Sequence, residues 1–246
     1  MIDNLKKEPL GKFSIFVLKE HTFGTDAVLL ADFAGKKKAK KACDLGTGCG
    51  IIPLLLIKKG AADTVDGVEI QPNGALIAQH NVELNSLEGV FTVHNKDLKD
   101  LKGYLPSGEF DLVTCNPPYK AKDTGNPNIS EAERIARHET LCVFKDVVKA
   151  ASGLLKFGGR LCVCHRPERL ADVICNMREC NIEPKVYREV IQREGEEPWL
   201  ILVEGKLGGK MGMIVQPPLY VENGGELSDE MMEIYGDYKQ GKGRQI

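Results

Sequence analysis

Aromatic residues are scarce in this chain: one Trp, six Tyr and eight Phe make up 6% of 246 residues. It has no apolar run long enough to cross a bilayer as a helix, which excludes a helical membrane span. None of its eight cysteines forms a C-x-x-C pair, so the usual zinc-ribbon and redox spacings are missing. Internal repeats and low-complexity tracts are absent too, which excludes solenoids and long linkers. Met1 to Leu10 carries no charged-then-apolar leader, and a cytoplasmic location is expected. A formal net charge of -2 gives no overall electrostatic case for coating a nucleic acid.

Cys43, Cys115, Cys162 and Cys164 sit in apolar, strand-like runs where a reduced thiol acts as a small hydrophobe. Cys162, Cys164 and His165 form the one tempting metal cluster, but strand alternation sends neighbouring side chains to opposite faces, so no metal is expected. The charge is uneven. Residues 1–43 hold nine lysines against five acids, a net +4, and the remainder carries -6. Much of the excess is Lys36, Lys37, Lys38, Lys40 and Lys41, which precede the first strand expected and so belong at the end of a sheet away from its ligand crevice. They read as a solvated charge run.

Apolar runs rich in Val, Ile, Leu and Cys alternate with helical periodicity, the signature of strand-helix-strand units. Strands are expected near residues 41–46, 64–70, 90–95, 109–116, 159–165, 185–192 and 199–205, and helices near 25–34, 50–59, 72–86, 142–156 and 167–180. Only the short polar stretch Arg193 to Pro198 separates the last two strands, so they should pair antiparallel. The expected fold is a doubly wound, seven-stranded mixed sheet ending in an antiparallel hairpin. The chain reads as one domain: an N-terminal segment over 1–40 that completes a ligand pocket, a core sheet over 41–206 and an extension over 207–246.

Two motifs carry chemistry. Asp44-Leu45-Gly46-Thr47-Gly48-Cys49-Gly50 places glycine at every second position between a strand and a helix. This spacing differs from G-x-G-x-x-G and disfavours a nicotinamide dinucleotide, but it lets backbone approach a ligand closely, with helix N–H groups ready for a carboxylate. Glu69 ends the next strand, 25 residues after Asp44, where doubly wound folds put the acid that takes ribose hydroxyls. Asp97 follows the third strand, where it either accepts from an adenine amino group or caps a turn.

The second motif is Asn116-Pro117-Pro118-Tyr119, at the end of the run Glu109 to Cys115. An exocyclic amine attacks poorly while its lone pair is delocalised into a ring. The Asn116 oxygen and the Pro117 carbonyl can hold its two N–H groups and favour a pyramidal nitrogen, two prolines restrict the backbone that aims them, and Tyr119 offers a flat face for stacking. Residues 119–130 lack periodicity and are rich in turn formers, and the segment Lys120 to His138 reads as a lid that closes over the substrate.

On these residues the chain resembles class I S-adenosylmethionine-dependent methyltransferases with an Asn-Pro-Pro-Tyr motif. Within that group it resembles in particular the bacterial enzymes that modify the adenine beside the anticodon of a tRNA, through Phe23 to Leu30, Ala136-Arg137-His138-Glu139 and Pro217-Pro218-Leu219. The resemblance implies a Rossmann-like fold, S-adenosyl-L-methionine as cofactor and an RNA substrate flipped out of its stack. It implies that Asp44, Gly46 and Gly48 line the methionine end, that Thr25, Asp26 and Asn116 border the same ligand, and that Glu69 serves the ribose and Asp97 the adenine. Asn116, Pro117 and Tyr119 would hold the target base, with Arg137 and His138 at the entrance. Without the resemblance, Thr25 reads as a helix N-cap. Protein-glutamine methylation of release factors shares the four-residue motif, but only 43 residues precede Asp44, too few for the helical domain those enzymes resemble one another in having. DNA adenine methylation would call for a target-recognition insertion, which is not seen, and intact Asn116, Tyr119 and Glu69 argue against a non-catalytic RNA-binding module.

Overall fold

Strands that are apolar along their whole length must be covered on both faces, and helices with one apolar stripe are what covers them. The structure, a computed structural model, describes residues 5–18, 21–117 and 144–238. A hairpin of β1 (Lys6–Leu10) and β2 (Phe13–Val17) leads into α1 (Thr25–Gly35) and β3 (Ala39–Leu45). Then follow α2 (Ile51–Lys58), β4 (Ala62–Glu69), α3 (Pro72–Leu84), β5 (Phe91–Asn95) and β6 (Phe110–Cys115). The second half holds α4 (Phe144–Leu154), β7 (Leu155–His165), α5 (Leu170–Glu179), β8 (Ile182–Ile191) and β9 (Pro198–Leu207). The dipeptide strands β10 (Ile214–Val215), β11 (Leu219–Tyr220), β12 (Glu222–Asn223) and β13 (Glu226–Leu227) precede α6 (Asp229–Tyr235).

The main sheet has nine strands in the order β10-β8-β9-β7-β6-β3-β4-β5, with β11 also on β8. Strands β3 to β7 run parallel, and β9 runs antiparallel to both β7 and β8. This corrects the expected seven: after β9 the chain returns along the outer edge of β8 and pairs twice for two residues, too briefly to leave any alternation in the sequence. The expected strand positions in 41–205 and the antiparallel final pair hold. One core layer joins α1, α2, α3 and α6 to the face bearing Ala42, Leu112, Cys162 and Cys164. The other joins α4 and α5 to the face bearing Cys43, Leu45, Val113, Cys115 and Val163.

Three local expectations change. The N-cap of α1 is Gly24, and Thr25 is the first helical residue. Pro167 opens a short 3-10 turn, with α5 beginning at Leu170. Strand β3 starts at Ala39, so Lys40 and Lys41 lie within it. The lysine run is solvated as expected, with Lys36, Lys37, Lys38 and Lys40 exposed, and its members pair at the surface: Lys36 with Asp32, Lys37 with Glu204, Lys38 with Asp63 and Lys41 with Glu109.

Candidate active site at the sheet's carboxyl edge

The chain leaves β3 toward β4 and β5 on one side, then returns to lay β6 on the other. The crevice at this reversal, outside the carboxyl ends of the strands, is where open α/β sheets bind ligands. Asp44 and Thr114 are register partners across that seam, and Thr114 Oγ1 donates to Asp44 Oδ1 at 2.6 Å. The second carboxylate oxygen, Oδ2, is buried and makes no hydrogen bond among the described residues, with Thr47 Oγ1 nearby in the same condition. Burial pushes the Asp44 carboxyl up to about 7; the Thr114 bond and then the adjacent Thr47 hydroxyl oppose this, and the Glu69 charge adds to it. A buried carboxylate oxygen lacking a donor is costly in isolation and suits a cationic amine.

After Asp44 the backbone turns through Gly46 at φ +75° and Gly48 at φ +55°. A Cβ at either position would meet nothing within 4 Å, so both glycines border open space, and their left-handed backbone disfavours any side chain. The turn is tied to β4 by Gly46 N–H and Thr47 N–H, which both donate to Val68 O at 2.8 and 3.0 Å. Glu69, at the tip of β4, accepts from Gly48 N–H at Oε2 and from Gln71 N–H at Oε1, each at 2.8 Å. Each oxygen keeps a further lone pair, so the acid can both hold the turn and receive hydroxyl groups. Asn95 Nδ2 donates to the carbonyls of Glu69 and Ile70, and Ile70 stands 44% exposed beside them. Asp97 caps a 3-10 turn, accepting from Lys99 N–H at 2.9 Å, which is the turn-cap alternative seen in its sequence.

Asn116 follows β6 on the α1 side of the sheet. Its Nδ2 donates to Asp26 Oδ2 at 3.1 Å, and its Oδ1 accepts from Cys164 Sγ at 3.2 Å. Asp26 Oδ1 accepts from Ala27 N–H in the first turn of α1, and Thr25 Oγ1 shares a 2.9 Å hydrogen bond with Tyr235 OH. Pro117 is buried. The site therefore brings together Thr25, Asp26, Asp44, Gly46, Gly48, Glu69 and Asn116. Pro118, Tyr119, Arg137, His138 and the segment Lys120 to His138 lie outside the described residues.

His165 ends β7 next to this edge. Arg166 N–H donates to its Nδ1 at 2.9 Å, its ring meets Phe144 edge-on, and burial, aided by the Arg169 and Arg166 charges, holds its pKa down to about 4. A neutral His165 thus carries its proton on Nε2. Cys162 and Cys164 belong to the opposite core layer from Phe144. Among the described residues no group of three or more His, Cys, Asp or Glu is placed to hold a metal, and no helix is long and apolar enough to cross a membrane. Sequence reasoning missed Cys164, Tyr235, Asn95 and Ile70. Ile70 carried a signal, an apolar residue directly after a strand-end acid; the others are distant in sequence from the groups they hold.

A three-layer sheet with an acid-and-glycine turn, a strand-tip glutamate and an Asn-Pro strand end around one reversal is the frame of a Rossmann-like methyltransferase. Residues 11–179 match the methyltransferase small domain family, and the chain belongs to it. A tRNA1(Val) (adenine(37)-N6)-methyltransferase of Pedobacter heparinus is 35% identical over 136 residues, 55% of this chain and 56% of that protein. A protein of the same description from Porphyromonas gingivalis is 30% identical, covering 74% and 72%, and one from Aeromonas salmonicida is 27% identical, covering 86% and 87%. The fold is similar to that of an Agrobacterium tumefaciens protein described as a predicted O-methyltransferase, with TM-score 0.70, 22% identity and coverage of 87% and 96%. It is also similar to a SAM-dependent methyltransferase from Aquifex aeolicus, with TM-score 0.53, 14% identity and coverage of 74% and 89%.

Proposed function

We propose that this enzyme transfers a methyl group from S-adenosyl-L-methionine to the exocyclic amine of an adenine in RNA, namely an anticodon-loop adenine of a tRNA. One observation carries the reading: the Asn116 amide stands across the sheet reversal from the glycine turn and the unpartnered Asp44 oxygen. The cofactor fits these residues, since its amine suits Asp44 Oδ2, its chain the open space before Gly46 and Gly48, and its ribose the free lone pairs of Glu69. Asp97 and Ile70 would flank the adenine, and Thr25 would border the methionine side, with the Asp26 carboxylate turned to Asn116. Residues 1–40 complete this pocket, 41–206 form the core and 207–246 extend it. When bound, the cofactor supplies an electrophilic methyl group on a sulfonium.

Asn116 Oδ1 and the Pro117 carbonyl accept the two N–H groups of the target amine and turn its lone pair toward the methyl group. Tyr119 stacks on the base, with Arg137 and His138 at the entrance. No general base is required, because the nitrogen becomes acidic as it alkylates, and catalysis rests on positioning and electrostatics. An anticodon-loop base is less costly to extrude than a paired one. The tRNA assignment is supported by the relatives' descriptions, and such a substrate places the enzyme in the cytoplasm. Incubation with labelled S-adenosylmethionine and total tRNA, followed by nucleoside analysis, should yield N6-methyladenosine. Label appearing in release factors and not in tRNA would replace the substrate.

A further inference from the structure

The Asn116 side chain is held at both ends, and the two holders differ in kind. Cys164 Sγ, 3.2 Å from Oδ1, is a weak donor and a weak acceptor, so a thiol tolerates either end of an amide. Asp26 Oδ2, 3.1 Å from Nδ2, belongs to a carboxylate, which only accepts. With the amide flipped, two oxygens would face each other. Asp26 therefore favours the amide orientation in which Nδ2 faces α1 and the oxygen is turned away from it. Asp26 is itself fixed: Oδ1 accepts from Ala27 N–H at 2.9 Å, the first turn of α1 favours an anion, and Thr25 beside it is bonded to Tyr235.

We propose that Asp26 is a positioning residue for methyl transfer, holding the Asn116 amide in the orientation that turns Oδ1 toward the incoming amine. The proposal rests on the function assigned above and adds to it a role for Asp26 that is separate from cofactor binding. Asparagine at position 26 keeps the size of the side chain but can donate as well as accept, so the Asn116 amide is released to flip. Asp26→Asn should lower kcat about 10- to 100-fold, the scale set by a misaligned catalytic group, with cofactor affinity within about twofold of wild type. The reciprocal pair Asp26→Asn with Asn116→Asp restores one donor and one acceptor across the contact and leaves a carboxylate oxygen facing the amine. It should be more active than either single variant.

The experiment measures kcat, KM for tRNA, cofactor affinity by calorimetry and the melting midpoint for Asp26→Asn, Asn116→Asp, Asn116→Ala and the pair. A fall in kcat at unchanged cofactor affinity and midpoint, with recovery in the pair, supports the proposal. Wild-type kcat in Asp26→Asn alongside an inactive Asn116→Ala overturns it and leaves the assigned function standing. Loss of cofactor affinity in step with activity also overturns it, placing Asp26 in the cofactor pocket. Full activity of Asn116→Ala overturns both. If Asp26→Asn does not fold, the pair compared with Asn116→Asp decides, and no recovery in the pair counts against the proposal.

Discussion

Asp44 and His165 are two buried titratable groups whose pKa values move in opposite directions, and this makes their contributions separable by pH. The Asp44 carboxyl is raised to about 7 when folded, against an ordinary value near ~4. Between those values the folded protein binds more protons than the unfolded chain, so this group's contribution to stability falls as pH rises through the window and levels off above about 7. His165 is lowered to about 4 when folded, against roughly 6.5, so its contribution is fully present above ~6.5 and is lost as pH falls toward ~4. Urea midpoints from pH 4 to 8 should show the descending slope vanish in Asp44→Asn. The acid-side loss should vanish in His165→Asn, whose Oδ1 can still accept from Arg166 N–H. Cofactor affinity should tighten as pH rises through about 7, because only the ionised Asp44 pairs with the amine, and Asp44→Asn should flatten that dependence in calorimetry. Glu69→Ala removes the Gly48 anchor together with the ribose acceptor and should weaken cofactor binding by about 1.5–3 kcal/mol. Unchanged affinity would take Glu69 out of the site.

At the scale of elements, α1 and α3 are fixed by polar groups more than their composition suggests. Arg160 of β7 donates to Ala34 O at the end of α1 and to Lys37 O just beyond it, and pairs with Glu204 at 2.9 Å, the Ala34 and Glu204 contacts being buried and the Lys37 contact partly so. Arg160→Met leaves those carbonyls and the glutamate with fewer partners and should cost about 3–5 kcal/mol, whereas Arg160→Met with Glu204→Leu should recover much of the loss. Chemical denaturation of both proteins checks this, and equal losses would show the pair to be no source of the effect. On α3, Asn81 and Asn85 stand one turn apart and meet the backbone of alternate β2 residues, Phe16 and Ser14, as a neighbouring strand would. Asn81 Nδ2 also donates to Cys49 O at 2.9 Å, which joins the hairpin to the glycine turn. Asn81→Leu strands a strand edge and a turn carbonyl and should cost roughly 3 kcal/mol or more, read as a lowered urea midpoint.

For the whole molecule, the C-terminal segment crosses the outer edge of β8 and returns to α1 close to the site. Arg188 grips Glu230 through two hydrogen bonds at 2.6 and 2.7 Å, and Tyr235 OH reaches Thr25. Tyr235→Phe should lower stability by about 0.5–1.5 kcal/mol, in line with one lost hydrogen bond, measured as a urea midpoint. The ion-paired lysines lie at the opposite end of the sheet from the crevice. Lys38→Ala should accordingly leave tRNA affinity and its salt slope unchanged in binding assays over a range of salt, and a slope reduced by about one would move the RNA surface there.

The parallel core, the final antiparallel pair, the glycine turn and the Asn-Pro strand end were legible from the chain alone. Each is written in local terms: apolar alternation, a connection too short for a crossover, glycines at positive φ and prolines that stop a strand. The nine-stranded count, the β1–β2 hairpin and the C-terminal wrap were not, because two-residue strands and a five-residue hairpin pair through backbone, which leaves little pattern in side chains. Local spacing offered Thr25 as an N-cap, and tertiary packing gave its hydroxyl to Tyr235, 210 residues away. The contact of Asp26 with Asn116, 90 residues apart, exists only because α1 packs on the face of the sheet that Asn116 leaves. Residue types and short spacings determine which groups a site can draw on; the layer packing decides which of them meet.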